Sequence, residues 1–420
     1  MCYTSAMKNV FAEGGNGRVL FIIGLGTALS LIGDSSMYTV LPTHTAEAGI
    51  GLAAVGVMLS ANRWVRLGAN GAVGWLAERW PRRRLFVPAL FLGALSTSIY
   101  GWTQGYWPLL IGRLLWGIAW SGIWIAGNAI VLDISEAHNR GRLVGLYNVA
   151  FFTGAGAGSF VGGALTDWLG YAAMFRVAAL LTLLGAVTAW LFLPETRQQP
   201  KTRVVPVTGK AMVTETAVSS ALSTSVSKPQ MFSILTLIGI NRIVMAGTLF
   251  PTFGLFLLKT LGEEVVINGR IIGITTLTGL GLSASTFIGL GFVPLIGGLS
   301  DRWGNRWGTT AVGLLPGIVG FALLSLAAPW MIGLGLPLAS ATSGSNQGMA
   351  TALLGDVAGS KSGRWLGVLF TVGDLASAVG PLLAFWLIDF VPIRALYAVA
   401  GMLFLGMLLV AMWWGRKRLH

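Results

Sequence analysis

Apolar residues fall in twelve runs, at about 19 to 41, 50 to 75, 85 to 103, 107 to 132, 143 to 166, 172 to 193, 231 to 258, 271 to 299, 308 to 327, 330 to 354, 365 to 388 and 394 to 414. A helix rising 1.5 Å per residue needs roughly 20 apolar residues to cross the ~30 Å core of a bilayer, so each run predicts one membrane-spanning helix. The first run follows Lys8 and Arg18, as the apolar core of a signal peptide would. It is long, contains Asp34 and precedes eleven more runs, so it reads as a retained first helix. The longest polar stretch, Pro194 to Gln230, holds four prolines and the low-complexity segment AVSSALSTSVS, and reads as a linker. The pattern therefore predicts an N-terminal segment 1–18, a six-helix bundle 19–193, a linker 194–230, a second six-helix bundle 231–414 and a short tail 415–420.

Composition agrees. Only 10% of residues are charged, where soluble proteins carry about 25%, while 54% are hydrophobic and 59 are glycine. So few charges cannot cover a water-facing surface, which argues against a soluble enzyme, a disordered chain or a nucleic-acid-binding domain. The single cysteine, Cys2, leaves no internal disulfide and no cysteine-rich metal site. A net charge of +13 would suit a nucleic-acid partner, but its placement argues otherwise. With both termini cytoplasmic, twenty of the 28 basic residues lie in cytoplasmic segments. Four face the other side (Arg176, Lys259, Arg270, Arg394), and four lie inside spans (Arg63, Arg66, Arg113, Arg242). That asymmetry is a topology signal, and no nucleic-acid partner is expected.

The two halves repeat. GWLAERWPRR from Gly74 matches GLSDRWGNRW from Gly298, aligning Glu78 with Asp301 and Arg79 with Arg302. RGRLVGLYN from Arg140 matches SGRWLGVLF from Ser362, and DWLGYAAMFRVAA from Asp167 matches DFVPIRALYAVAG from Asp389. Parallel six-span repeats allow two halves to rock about a central site.

These motifs resemble those of the major facilitator superfamily of secondary transporters, over the whole length of the chain. The loop after the second span is similar to GxLaDrxGrrxxl, with Gly74, Leu76, Glu78, Arg79, Arg82 and Arg83 in place, Glu78 standing for Asp and Pro81 for Gly. The second copy keeps Gly297, Leu299, Asp301, Arg302, Gly304 and Arg306. Arg113 and Gly117 match RxxxG in the fourth span. GAGAGSFVGGAL in the fifth is close to the antiporter pattern GxxxGPxxGGxl, with Ser159 at the proline position, and the sixth ends in LPET. The resemblance implies an all-α fold of twelve transmembrane helices in two pseudo-symmetric six-helix bundles. It also implies a gate in which Glu78 latches onto the start of the eleventh helix near Gly363, and Asp301 onto the start of the fifth near Gly141. A carboxylate at a helix N-terminus is favourable; the alternative is that these basic loops only set topology.

Charges inside a membrane are costly and point to function. There are six: Asp34, Arg63, Arg66, Arg113, Arg242 and Asp374. Thr27, Ser30, Asp34 and Tyr38 share one helical face, and so do Arg113, Gly117, Trp120, Trp124 and Asn128. Both faces are expected to line the cavity. Counting along the helices puts Asp34 and Arg113 at about 12 and 9 Å from the outer boundary, so they are expected to pair. A carboxylate beside a guanidinium stays ionised until the pair is weakened, which is the core of proton-coupled exchange. Arg66 and Asp374 also share a depth and are expected to form a bridge that alternates with the transport cycle. Static architecture is the alternative for both pairs. Arg242 has no evident carboxylate partner; it binds an anionic substrate group or donates to backbone carbonyls. Asn346 and Gln347, within SATSGSNQG, are candidates to hydrogen-bond substrate or to mediate helix packing.

Other chemistries lack their residues. An intramembrane aspartyl protease would need a GxGD signature, which neither Asp34 nor Asp374 completes, and His44, His138 and His420 form no zinc motif. No phosphate-binding GxxxxGK[ST] loop is present. A channel fits composition alone, but repeated halves favour alternating access. The expected function is export of a small organic molecule in exchange for protons, by a monomer in the plasma membrane, with no cofactor or metal and the proton gradient as energy source. The alternative is an importer or exchanger of an organic anion, favoured by the surplus of intramembrane arginine.

Overall fold

The computed structural model describes residues 16–136, 138–197, 228–267, 269–358 and 362–417. Most of the 194–230 linker and the outermost residues of both terminal segments lie outside the described residues. Twelve long helices run through the rest: α1 (Asn16–Val40), α2 (Leu52–Arg79), α3 (Arg82–Trp102), α4 (Tyr106–Asp133), α5 (Arg140–Leu169), α6 (Tyr171–Phe192), α7 (Lys228–Leu261), α8 (Ile274–Trp303), α9 (Arg306–Leu326), α10 (Pro329–Ala358), α11 (Ser362–Leu387) and α12 (Ile393–Lys417). The shortest has 21 residues, about 30 Å of rise. Ten carry a window apolar enough to span a bilayer. The other two, α2 and α10, fall short because α2 holds Asn62, Arg63 and Arg66 and α10 holds SATSGSNQG. The two most polar helices thus carry much of the candidate chemistry.

Local rules set the joints. A single residue, Gly170, separates α5 from α6 at φ 84°, a left-handed region that only glycine enters without strain. The carboxylate of Glu195, in the LPET segment, accepts hydrogen bonds from the first backbone N–H groups of α3, at Arg82 (2.9 Å) and Arg83 (3.1 Å). These are donors the helix itself cannot satisfy. One element was not anticipated: between α7 and α8 the β-branched run around Val265 pairs as an antiparallel hairpin, β1 (Glu264–Ile267) with β2 (Arg270–Gly273). Consequently α8 starts at Ile274 rather than 271. A second is a π-helical turn, Ile243–Leu249, inside α7.

Packing repeats after six helices. Helix α1 packs on α5 and α6, α2 on α4, and α3 lies against α4 and α6; correspondingly α7 packs on α11, α8 on α10, and α9 against α10 and α12. Even an ion pair repeats: Arg82 Nε to Asp133 (3.0 Å) ties α3 to α4, and Arg306 Nε to Asp356 (2.7 Å) ties α9 to α10. The two sets of six meet mainly through α2 against α11 and α5 against α8.

Those meetings are one-sided. Toward the end of the molecule opposite the basic loops, the helices touch at glycines: Gly163 and Gly279 abut the backbone of Thr275 and Ser159 across α5 and α8, and Gly56 abuts Pro381 across α2 and α11. A Cβ at Gly56 would lie 2.7 Å from the Pro381 carbonyl oxygen. Toward the basic end, Gly68, Gly71 and Gly74 on α2, Gly145 on α5, Gly297 on α8 and Gly367 on α11 have no neighbouring atom within 4 Å of a Cβ position. The halves are therefore closed at one end and splayed at the basic end, with a cleft between them.

Candidate functional site

Five helices bring charge to the apex of this cleft. On the α1, α2 and α4 side, Arg113 Nη1 lies 2.7 Å from Asp34 Oδ1, and Arg113 Nε donates to the Met58 carbonyl at 2.9 Å. Arg113 is wholly buried, whereas the Asp34 side chain keeps 18% exposure. Gly117, one turn on, lets α4 approach the backbone of Asn62 on α2, where a Cβ would meet the Asn62 carbonyl oxygen at 2.5 Å. That approach brings Asn62 beside the pair, its Nδ2 donating to Asp34 Oδ1 at 3.5 Å. Arg113 Nη2 and Asn62 Oδ1 are buried with no partner among the described residues.

Between the halves, Arg66 Nη2 of α2 meets both carboxylate oxygens of Asp374 on α11, at 3.3 and 3.4 Å. The open glycine positions of α2 begin two residues on, at Gly68. Arg63, one turn earlier, donates from Nε to Tyr38 Oη at 3.4 Å, and Tyr38 Oη donates to the Leu59 carbonyl at 3.4 Å. Arg242 forms no hydrogen bond or ion pair among the described residues. Its side chain lies along α11 at Gly373, where a Cβ would sit 3.6 Å from its Cγ, and it immediately precedes the π-helical turn. Such turns insert a residue into the helical ladder and are frequent at functional positions.

Several residues expected to line the cavity do not do so in this conformation. Thr27 and Ser30 are wholly buried: Thr27 Oγ1 bonds Tyr147 Oη of α5 at 3.0 Å, and Ser30 donates to the Thr27 carbonyl at 2.8 Å. Their polarity is spent on helix packing. Trp120 is 7% exposed, stacked between Trp116 and Trp124 at 6.2 and 5.7 Å and flanked by Phe151. It is therefore bundle core. Trp124 is half-buried and also stacks on Tyr147, and Asn128 donates back to the Trp124 carbonyl at 2.8 Å. Asn346 is wholly buried with neither side-chain atom partnered among the described residues, while its neighbour Gln347 is half-buried.

The gate residues are apart. The Glu78 side chain is 81% exposed and among the described residues pairs with its neighbour Arg79, at 4.0 Å, while its carbonyl accepts from Arg197 at 2.6 Å; Asp301 pairs with Arg306, the first residue of α9, at 3.3 Å. Arg302 is exposed, and Gly74 and Gly297 face open space. Among the described residues Asp301 makes no contact with the start of α5, in keeping with the splayed basic end, and the partner expected for Glu78, near Gly363, lies outside the described residues. A latch of the same kind exists instead at the closed end. Asp167, at the C-terminal end of α5, accepts from the backbone N–H of Thr276 in the first turn of α8 at 2.7 Å and abuts Gly273. Sequence reasoning passed over Asp167, although it opens one of the repeat matches and ends an interface helix just as Glu78 and Asp301 do.

Comparison with known proteins bears on this architecture. The model of the Major Facilitator Superfamily matches residues 23–289 and 275–419. The multidrug resistance protein MdtG of Enterobacter lignolyticus is 24% identical over 394 residues, covering 92% of this chain and 90% of that protein. A probable 4-methylmuconolactone transporter of Cupriavidus pinatubonensis is 30% identical over 146 residues, 34% of either chain. Among solved structures, a bacterial homologue of the human lysosomal transporter Spinster, inward-facing and occupied, superposes with a TM-score of 0.72 at 15% identity, over 95% of both chains.

Proposed function

The chain belongs to the Major Facilitator Superfamily, and from that premise we propose that this multi-pass membrane transporter exports a small organic molecule in exchange for protons, by alternating access. The basic end is then the cytoplasmic face, both termini lie there, and the membrane is the plasma membrane. Export is supported by the likeness over nine-tenths of the chain to a multidrug resistance protein.

The observation that carries the coupling is the Asp34–Arg113 pair. Its arginine is sealed in the bundle, and its carboxylate is still partly open. A proton arriving at Asp34 cancels the charge that holds Arg113 Nη1, so protonation and release of the pair are one event. Arg113 keeps its bond to the Met58 carbonyl, and the freed carboxyl is left to Asn62 or to substrate. Arg66–Asp374, which joins α2 to α11 across the two halves, would open and close with the rocking of the halves. No cofactor enters this scheme; the proton gradient drives it.

The test uses proteoliposomes with an imposed pH gradient. The wild-type protein drives substrate against its gradient and moves protons the other way. Asp34→Asn is expected to bind and exchange substrate but to lose gradient-driven accumulation; full coupling in that variant would end the proposal. A second reading, exchange or import of an organic anion, is favoured by Arg63 and Arg242, which have no carboxylate partner among the described residues. Gradient-insensitive anion exchange in the same vesicles would select it.

A further inference from the structure

The charges at the cleft apex do not balance. Asp34 is matched by Arg113, and Asp374 by Arg66. Arg63 and Arg242 remain. Arg63 makes its hydrogen bond to a phenol, at 3.4 Å from Tyr38 Oη with the Tyr38 ring centroid 5.9 Å from its Cζ, and has Asp34 and Asp374 near enough for their charges to act on it but no ion pair among the described residues. Arg242 has no hydrogen-bonding partner among the described residues. Arg63, Arg66 and Asp374 all lie near enough for their charges to act on Arg242. In addition, Arg66 keeps a buried, unpartnered Nε–H.

Two unmatched guanidinium groups and a spare N–H therefore surround one satisfied carboxylate, where α2, α7 and α11 meet and the cleft begins. A guanidinium at membrane depth is tolerated when it faces a cavity or a counter-charge, and its planar fork of donors suits a carboxylate better than any neutral group. The fold also makes room here. Gly373 presents no side chain to Arg242; a Cβ there would rest at van der Waals distance, 3.6 Å from its Cγ and 3.7 Å from its Nε. The π-helical turn that follows Arg242 gives α7 a wider backbone ring at this level.

We infer that Arg63 and Arg242, assisted by Arg66 Nε, form a carboxylate-binding subsite and that the transported molecule is a small organic acid in its anionic form. The subsite spans both halves, with Arg63 on α2 and Arg242 on α7. A bound carboxylate would bridge them across the cleft and draw the basic end together, which a neutral molecule of the same shape would not do. Asp374 sets selectivity, because it leaves Arg66 neutralised and directs the anion to the two unmatched arginines.

This inference rests on the transport reading and is tested apart from coupling. The full chain in detergent, with no gradient, is titrated with unbranched and aromatic mono- and dicarboxylates of two to eight carbons and with their neutral amides, following the thermal unfolding midpoint and heat of binding. At least one acid is expected to stabilise the protein, with its amide at least tenfold weaker. Arg63→Gln and Arg242→Gln should each weaken that acid tenfold or more, and Arg242→Lys should lie between. Stabilisation by none of the acids, equal binding of acid and amide, or unchanged affinity in folded Arg63→Gln and Arg242→Gln would each overturn the subsite. Should a glutamine variant not fold, the acid–amide ratio of the wild type and the Arg242→Lys affinity decide. Proton-driven transport without carboxylate binding sinks only the subsite; carboxylate binding without proton coupling sinks only the antiport reading.

Discussion

The contact between Asp167 and the first turn of α8 can be tested as a conformational lock. The carboxylate sits on an exposed edge, so its interaction with the N-terminal dipole and the Thr276 N–H is worth about 0.5–1 kcal/mol. Asp167→Ala removes it only in the conformation closed at that end, so the equilibrium toward the opposite opening should shift roughly two- to fivefold. The chain lends itself to the measurement, because Cys2 is its single cysteine. In a Cys2→Ser background, Ser159→Cys is a nearly isosteric reporter. Ser159 is 6% exposed on α5, and its carbonyl abuts Gly279 of α8, so a thiol there reacts with a water-soluble maleimide only when the closed end parts. Adding Asp167→Ala should raise the alkylation rate about two- to fivefold, and Asp167→Asn should fall between. An unchanged or slower rate in folded Asp167→Ala protein would refute the assignment of Asp167 as a lock.

Other substitutions test separate parts of the structure. Reversing Arg66 to Asp or Asp374 to Arg should abolish transport singly and restore part of it together, measured as substrate flux in vesicles; failure of the double reversal would argue against the bridge. Gly380→Ala drives a Cβ into the backbone of Gly247 in the π-helical turn, and overpacking of about 1–3 kcal/mol should lower the thermal unfolding midpoint. Glu195→Gln weakens the cap on α3 by ~1 kcal/mol and should speed amide exchange at Arg82 and Arg83 while leaving transport intact.

The long-range plan of the molecule was legible because the membrane writes it in bulk properties. Apolar runs longer than a bilayer is thick announced the helices, and matched segments around Glu78 and Asp301 announced the repeat. Depth along a helix was also readable: counting residues brought Asp34 to the level of Arg113, and Arg66 to that of Asp374. What could not be read was which neighbour a polar face meets. Thr27 and Ser30 share the face of Asp34, but hydroxyl groups are satisfied by a helix carbonyl or an adjacent phenol, so they suit packed and wet surroundings alike. The stacked tryptophans of α4 raised the same ambiguity, resolved toward the core by Phe151 and Tyr147 of α5. The π-helical turn in α7 leaves no mark in hydropathy. Nor could the sequence say which end of the molecule is shut, since latches for both ends are written in the same residue types.

Helices α5 and α8 run antiparallel and have 30 residues each. Each therefore carries a carboxylate at the end that faces the other's N-terminus: Asp167 at the closed end, formed, and Asp301 at the splayed end, waiting. On the proposed alternating-access cycle, a rod about 45 Å long cannot close against its partner at both ends when the halves rock about its middle, so the two contacts would work as stops on a lever. Making one while breaking the other exchanges like for like and leaves the swing nearly level in free energy. With the frame so balanced, the proposed proton or bound anion would be enough to choose the direction of travel.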